Sequence, residues 1–146
     1  MHPLFYTFKH FFNNTSLLAF DNKKVLLTDK KWVNLINGHL KFNQKFKTTN
    51  INTNVPIAII IGKNTCSTGE FVASAFLGSP YVKFFGHNSS GFLSGNKTYN
   101  INKYILILTE ILTTTKIGKF QEYLEPDIYT ENPIDDAKFF INNFKI

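Results

Sequence analysis

The amino-acid sequence predicts a mixed α/β fold, and three observations carry that expectation. A continuous β-branched run, VPIAIIIG at residues 55–62, has the length and composition of a central strand buried on both faces. After a short polar stretch, FVASAFLG repeats its apolar residues at helical spacing. Two turn dipeptides, Asp21-Asn22 and Asn37-Gly38, separate short apolar runs and signal β-hairpins. With 146 residues and 43% hydrophobic content, the chain suits one compact unit and is too apolar for a disordered segment.

Taken in order, Pro3 suits the first turn of a short helix through Phe12, with Leu4, Phe5, Phe8, Phe11 and Phe12 at helical spacing. Leu17–Phe20 and Val25–Thr28 read as strands around the Asp21-Asn22 turn. WVNLI and HLKF form a second hairpin, because Asn and Gly tolerate the positive φ angles of a two-residue turn. Residues 43–54 are polar and read as a surface connection. The run at 55–62 leads through KNTCSTGE into a helix carrying Phe71, Val72, Ala75 and Phe76, with Gly78 as its terminator. YVKFFG is again a strand, and HNSSGFLSGN is a Gly/Ser/Asn loop. KTYNI, YILIL and ILTTTKI resemble three strands, rich in Ile, Thr and Tyr. After LEPDIYTENP a helix runs from Pro133 to about Phe144, with Asp135 and Asp136 placed to favour the positive end of its dipole.

Composition removes several function classes. The net charge of +6 comes from scattered lysines with no arginine, so the bidentate fork that reads guanine and grips phosphate is missing, and nucleic-acid binding is not expected. One cysteine, Cys66, excludes an intramolecular disulfide framework and a four-cysteine zinc site. The four histidines lack the spacing of a zinc motif, so neither a metal nor another cofactor is expected. No run of about 18 apolar residues exists, so no membrane helix is expected. MHPLFYTFKHFF has no signal-peptide pattern, and the chain reads as unexported as written.

The chemistry concentrates at residues 62–70. A buried strand, a turn of small residues and a helix lift one side chain above a sheet edge, here Ser67. The helix aims unpaired N–H groups at the same spot, which suits a developing oxyanion, and the Thr68 N–H is the natural donor. On geometry alone the commoner reading of such a serine is that it only caps the helix. Cys66 abuts the strand and reads as a small packed residue.

Residues 55–76, VPIAIIIGKNTCSTGEFVASAF, resemble the active-site segment of the C-terminal processing, or tail-specific, serine peptidases. The pattern there is an apolar strand, then Thr-Ala-Ser-(Ala/Ser)-(Ser/Gly)-Glu opening a helix. Thr65, Ser67, Gly69 and Glu70 fall in register, and Cys66 stands for the alanine. By this resemblance Ser67 is the nucleophile and Glu70 an orienting group rather than a base. FFGHNSSGFLSGN is similar to the family's strand and Gly-Thr-x-Gly loop, and LEPDIYTENPIDDAKFFIN to its Pro-Asp turn and terminal helix. MHPLFYTFKHFF looks like the helix following the family's Asp-Leu-Arg-Gly-Asn segment. The nisin-resistance branch, whose substrate is a lantibiotic, is the most similar in flavour. The resemblance implies a crotonase-like ββα spiral with β-hairpins, residues 1–146 being the C-terminal portion of a tail-specific-protease-like catalytic domain.

Two departures bear on activity. The Ser-Lys branch carries its lysine in a Phe-Gly-Lys-Gly loop, where this chain has Phe92; Lys97 belongs to the next strand. Branches without that lysine use a histidine from an earlier part of the domain, which also carries the second oxyanion donor. Within this chain His87 is the best placed alternative base, or else an exposed loop residue. Glu122 is the match for a network acid of the tricorn-like branch, or else a solvated acid; Pro126 and Asp127 shape the turn. Ser89, Ser90 and Gly91 are candidate substrate-cleft residues. The expectation is therefore a serine-type peptidase acting on peptide or protein, weakly active or inactive alone, with an N-terminal half supplied separately and an extended peptide adding to a strand edge beside the elbow. The alternative is a non-catalytic remnant that binds a peptide or a partner.

Overall fold

The computed structural model describes residues 54–115 and 122–145, and the backbone of four strands before them. Those are β1 (Thr15–Phe20), β2 (Lys23–Thr28), β3 (Lys31–Ile36) and β4 (His39–Lys45). There follow β5 (Ile57–Ile61), α1 (Thr68–Ser74), β6 (Val82–Gly86), β7 (Ser94–Ile101), β8 (Tyr104–Thr115), β9 (Ile128–Tyr129) and α2 (Pro133–Asn143). The α/β class read from the sequence is the class observed. The expected helix at 3–12 lies outside the described residues.

The described strands form two sheets. One has the order β4-β3-β2-β1-β8-β7, all neighbours antiparallel; the other is parallel, β5-β6-β9. The two expected hairpins are β1–β2 and β3–β4, joined through β2–β3 into a meander. In β4, residues 43–45 extend the strand into the stretch read as a connection.

Three local expectations change. KTYNI belongs to β7, which already begins at Ser94, three residues inside the expected loop. YILIL and ILTTT are one continuous strand, β8, because its polar interruption finds partners across the hairpin. Thr109 Oγ1 donates to Asn96 Oδ1 at 2.9 Å, and Glu110 faces Lys97 at 3.5 Å. Such cross-strand pairs keep polar residues in register. Third, the β-branched run is not a central strand: β5 lies at the edge of its sheet among the described strands, and only Ile61 in it is buried. Ile60 is 47% exposed.

The core sits between the parallel sheet and α1. Ile61, Phe71, Phe76, Val82, Phe84, Leu93 and Leu124 pack together, with Ile57, Ile59 and Val72 against them. Helix α2 packs on β5 and β6 and stacks Phe140 near Phe85, ring centroids 5.7 Å apart. Its ends behave as read: Pro133 occupies the first turn with Asp135 and Asp136, and Phe144 is the C-cap. Helix α1 is shorter than expected: it ends at Ser74 with Ala75 as its C-cap, so Phe76 lies beyond it, and Gly78, at φ 71°, belongs to the turn that follows rather than to the helix end. Together these elements fix β5 and β6 side by side, both ending where the polar turn begins. Among the described residues, no helix is long and apolar enough to cross a membrane.

Candidate active site

Strand β5 ends at Ile61, and the chain turns within six residues into α1. Thr65 closes that turn from both sides: its N–H donates to the Gly62 carbonyl at 2.7 Å, and its hydroxyl oxygen accepts the Gly62 N–H at 3.1 Å. The Gly69 N–H then bonds the Cys66 carbonyl at 2.9 Å, and the Phe71 N–H bonds the Ser67 carbonyl at 2.9 Å. Ser67 is thereby placed just before the first helical residue, exposed to solvent, with Thr68 half-buried beside it.

The backbone of Ser67 is unusual. It holds φ 47° and ψ −112°, one of two non-glycine residues with positive φ among those described. Ser67 is the N-cap of α1 and forms a capping box with Glu70, but an ordinary N-cap sits in the β region, so capping alone does not require this conformation. Such backbone costs of order 1–3 kcal/mol and persists only when neighbours over-determine it.

The over-determining group is Glu70, which is fully buried. Its Oε2 accepts the Ser67 N–H at 2.7 Å and the Phe92 N–H at 2.9 Å. Its Oε1 accepts the Ser89 hydroxyl at 2.5 Å and the Gly91 N–H at 2.9 Å. Ser89 in turn receives the Leu124 N–H on its hydroxyl at 2.7 Å and gives its own N–H to the Leu124 carbonyl at 3.0 Å. Ser90 ties the same loop to the elbow, its N–H on the Thr65 carbonyl at 2.9 Å and its hydroxyl on the Lys63 carbonyl. Gly91 adopts φ 86°, and the Cα of this glycine faces Glu122: a Cβ there would lie 3.6 Å from the Glu122 carbonyl oxygen.

All the candidate residues named from the sequence thus gather in one neighbourhood, with different parts in it. Ser67 and Thr68 form the elbow. Ser89 is buried and bonded on both sides, Ser90 and Gly91 fasten the loop to the elbow, and Glu122 is an exposed residue packed over Gly91. Cys66 departs from its expectation: it is exposed, because the tight turn carries it off the core side of β5.

Strand β6 ends beside the elbow through a close contact that the sequence reading missed. Gly86, at φ 113°, pairs with Ile61, and a Cβ on it would stand 2.3 Å from the Ile61 carbonyl oxygen. That same oxygen accepts the His87 N–H at 3.1 Å. A glycine closing a strand next to the elbow was the available signal. Asp127 likewise does more than shape its turn. Its Oδ2 accepts the Phe84 N–H at 2.8 Å, standing in for a strand residue just before β9 begins.

Two basic side chains were weighed as proton acceptors. His87 is half exposed, its Nε2 3.3 Å from Glu131. It shares a cleft of about 600 Å³ with Gly62, Lys63, Asn64, Thr65 and Glu131 beside the elbow. Lys97 lies on β7, as expected from the sequence, with Tyr99 and Glu110 as partners. Their hydroxyl and carboxylate raise its pKa above the usual lysine value, the Tyr99 hydroxyl foremost. A lysine base needs the opposite shift. Among the described residues, no three His, Cys, Asp or Glu side chains converge in a way that would hold a metal ion.

Comparison with known proteins places this geometry in a context. Over 115 residues the chain is 36% identical to the nisin-resistance protein of Lactococcus lactis subsp. lactis, an alignment covering 73% of this chain and 36% of that protein. A lipoprotein from Streptococcus agalactiae superposes with TM-score 0.68 at 24% identity, over 96% of this chain and 49% of that one. The photosystem II D1 C-terminal processing protease superposes with TM-score 0.57 at 14% identity, over 92% of this chain and 32% of that one, so both structures share its fold. The chain therefore spans about a third to a half of the length of these relatives. Residues 14–130, from β1 through the segment that follows β9, match the model of peptidase family S41, and the chain belongs to that family.

Proposed function

We propose that this chain is the nucleophile-bearing, C-terminal portion of a serine peptidase domain of the tail-specific kind, with Ser67 as the attacking residue. The observation that carries the proposal is the strained, exposed Ser67 at the junction of β5 and α1, held there by a buried carboxylate. A serine that only capped a helix has no use for that strain.

In this mechanism the Ser67 hydroxyl oxygen attacks the scissile carbonyl carbon, and its proton passes to a general base. The carbonyl electrons move onto oxygen, which the Thr68 N–H stabilises. Collapse of the tetrahedral intermediate breaks the C–N bond, and the base returns its proton to the leaving amine. Water then attacks the acyl-enzyme by the same route, freeing Ser67. The general base and a second oxyanion donor come from the portion of the domain that precedes these residues in tail-specific peptidases. Glu122, over Gly91, belongs to the surrounding network, and Ser90 and Gly91 border the path of the substrate. The substrate is a peptide or protein, and the similarity to a nisin-resistance protein favours a lantibiotic-like peptide. Residues 1–146 alone are expected to be weakly active at most.

The test is cleavage of a nisin-type peptide by this chain combined with the preceding part of the domain. Ser67→Ala is expected to lower kcat by about 10⁴-fold or more. Cleavage that survives the substitution removes Ser67 from the mechanism; binding without any cleavage in the unsubstituted protein makes the chain a peptide-binding remnant.

A further inference from the structure

We infer that Glu70 is the positioning residue of the elbow, and that its ionised carboxylate is what fastens Ser67 to the loop at residues 89–92. The inference rests on the reading of Ser67 as nucleophile and deepens it.

A carboxylate offers about four lone-pair sites and no donor. Here four donors approach, two to each oxygen: Ser67 N–H and Phe92 N–H on Oε2, Ser89 hydroxyl and Gly91 N–H on Oε1. No acceptor site is left over for the Ser67 hydroxyl proton, and the group is sealed from water, so Glu70 is not a base. No lysine or histidine is paired with it among the described residues; the neutralising partners are hydrogen-bond dipoles alone. Three of these donors are backbone or hydroxyl groups of residues 89–92, and the fourth is the backbone of the strained residue itself. Release of the carboxylate would free Ser67 to relax from φ 47° and would leave the loop that leads into β7 tied to the elbow through Ser90 alone. An amide cannot replace it. Glutamine presents one oxygen acceptor and an NH₂ that meets two of the four donors head-on.

Ser89 is the second element of the clamp, because its hydroxyl links Glu70 to the Leu124 backbone. The elbow, the 89–92 loop and the segment before Pro126 therefore converge on one buried charge, beside the Ser90 and Ser89 backbone bonds that also join them. A misplacement of about 1 Å at a nucleophile costs about 10²-fold in rate, and this is the effect expected when the clamp is lost.

The experiment measures amide hydrogen exchange in the full chain, with Glu70→Gln, Ser89→Ala and Val82→Ala as variants. In Glu70→Gln the Ser67, Gly91 and Phe92 amides are expected to exchange faster by about 10- to 100-fold, the weight of a hydrogen bond to a charged acceptor. The Phe71 amide and the β5–β6 ladder keep their protection. Val82→Ala, which loosens the core without touching the carboxylate, is expected to raise exchange generally and not at those three amides in particular. Ser89→Ala preserves the carboxylate and is expected to give a smaller rise at the same three positions, so it carries the test should Glu70→Gln fail to fold. Acylation of Ser67 by a fluorophosphonate is expected to slow by about 10²-fold in Glu70→Gln and to stay within a few-fold in Val82→Ala. Unchanged exchange at Ser67 in either clamp variant overturns the inference. Because exchange needs no catalysis, that failure is distinct from an absence of acylation at Ser67, which counts against the serine reading.

Discussion

Replacing Gly86 by alanine tests the junction that sets the elbow's position. The new Cβ would lie 2.3 Å from the Ile61 carbonyl oxygen, well inside any tolerated contact, and that neighbour is backbone. Alanine at φ 113° is strained as well. Backbone strain of about 1–3 kcal/mol and a similar cost for the overlap come to about 4 kcal/mol; at about 3 °C per kcal/mol for a chain of this size, the melting midpoint falls by about 12 °C. The strand ends separate to relieve the contact, and the His87 N–H loses its 3.1 Å bond to Ile61. Two controls isolate the cause. Gly62→Ala meets nothing within 4 Å, and Gly69→Ala meets only the Thr65 methyl at 3.6 Å, so both should melt close to the parent. The assay is thermal unfolding followed by circular dichroism on the three variants side by side. A Gly86→Ala midpoint within about 2 °C of the parent, less than 1 kcal/mol for this size, would refute the close approach of β5 and β6.

Other outcomes follow from single contacts. Asp127→Ala strips the Phe84 N–H of its acceptor in a buried strand and should cost about 1–3 kcal/mol in urea unfolding, whereas Lys83→Ala removes only an exposed 3.6 Å ion pair and should cost less than about 1 kcal/mol. Thr113 is buried with its hydroxyl unpartnered among the described residues, so Thr113→Val should leave stability unchanged or raise it by about 1 kcal/mol, read in the same unfolding experiment. Lys97, whose pKa lies above the usual 10.5, should titrate by NMR at a higher pH than a free lysine side chain, and Tyr99→Phe should move it back toward that ordinary value. Because its folded pKa is raised, any stabilisation it gives is complete below 10.5 and is lost as pH climbs past the folded value.

The parts of the fold that could be read from the sequence are those with local causes. The Asn37-Gly38 turn between two apolar runs sufficed for the β3–β4 hairpin, and Pro133 with two aspartates sufficed for α2. The elbow was legible because strand, small-residue turn and helix are consecutive, so Ser67 and Thr68 could be placed at the bend from order alone, while the role given to Ser67 rested on the family resemblance. Long-range consequences were not. The β-branched run promised a strand covered on both faces, but its neighbours depend on topology, and β5 lies at an edge of the described sheet. The break between YILIL and ILTTT vanished because Asn96 and Lys97, on another strand, supply partners to Thr109 and Glu110. Ser89 reads as loop polarity in one dimension; only the fold brings its hydroxyl to Glu70, 19 residues earlier in the chain. Cys66 was misplaced for the same reason: its burial depends on the path of the turn, which leaves it exposed.

The central claim is that Ser67 is a nucleophile and not merely the N-cap of α1, and covalent mapping tests it most directly. The chain, alone and combined with the preceding part of the domain, is treated with a fluorophosphonate, and the adduct is located by peptide mass spectrometry. The expected result is one adduct on Ser67, forming slowly on the chain alone, faster in the combined protein, and not at all in Ser67→Ala. An adduct on any other residue, or a combined protein whose Ser67 stays unmodified, would contradict the claim.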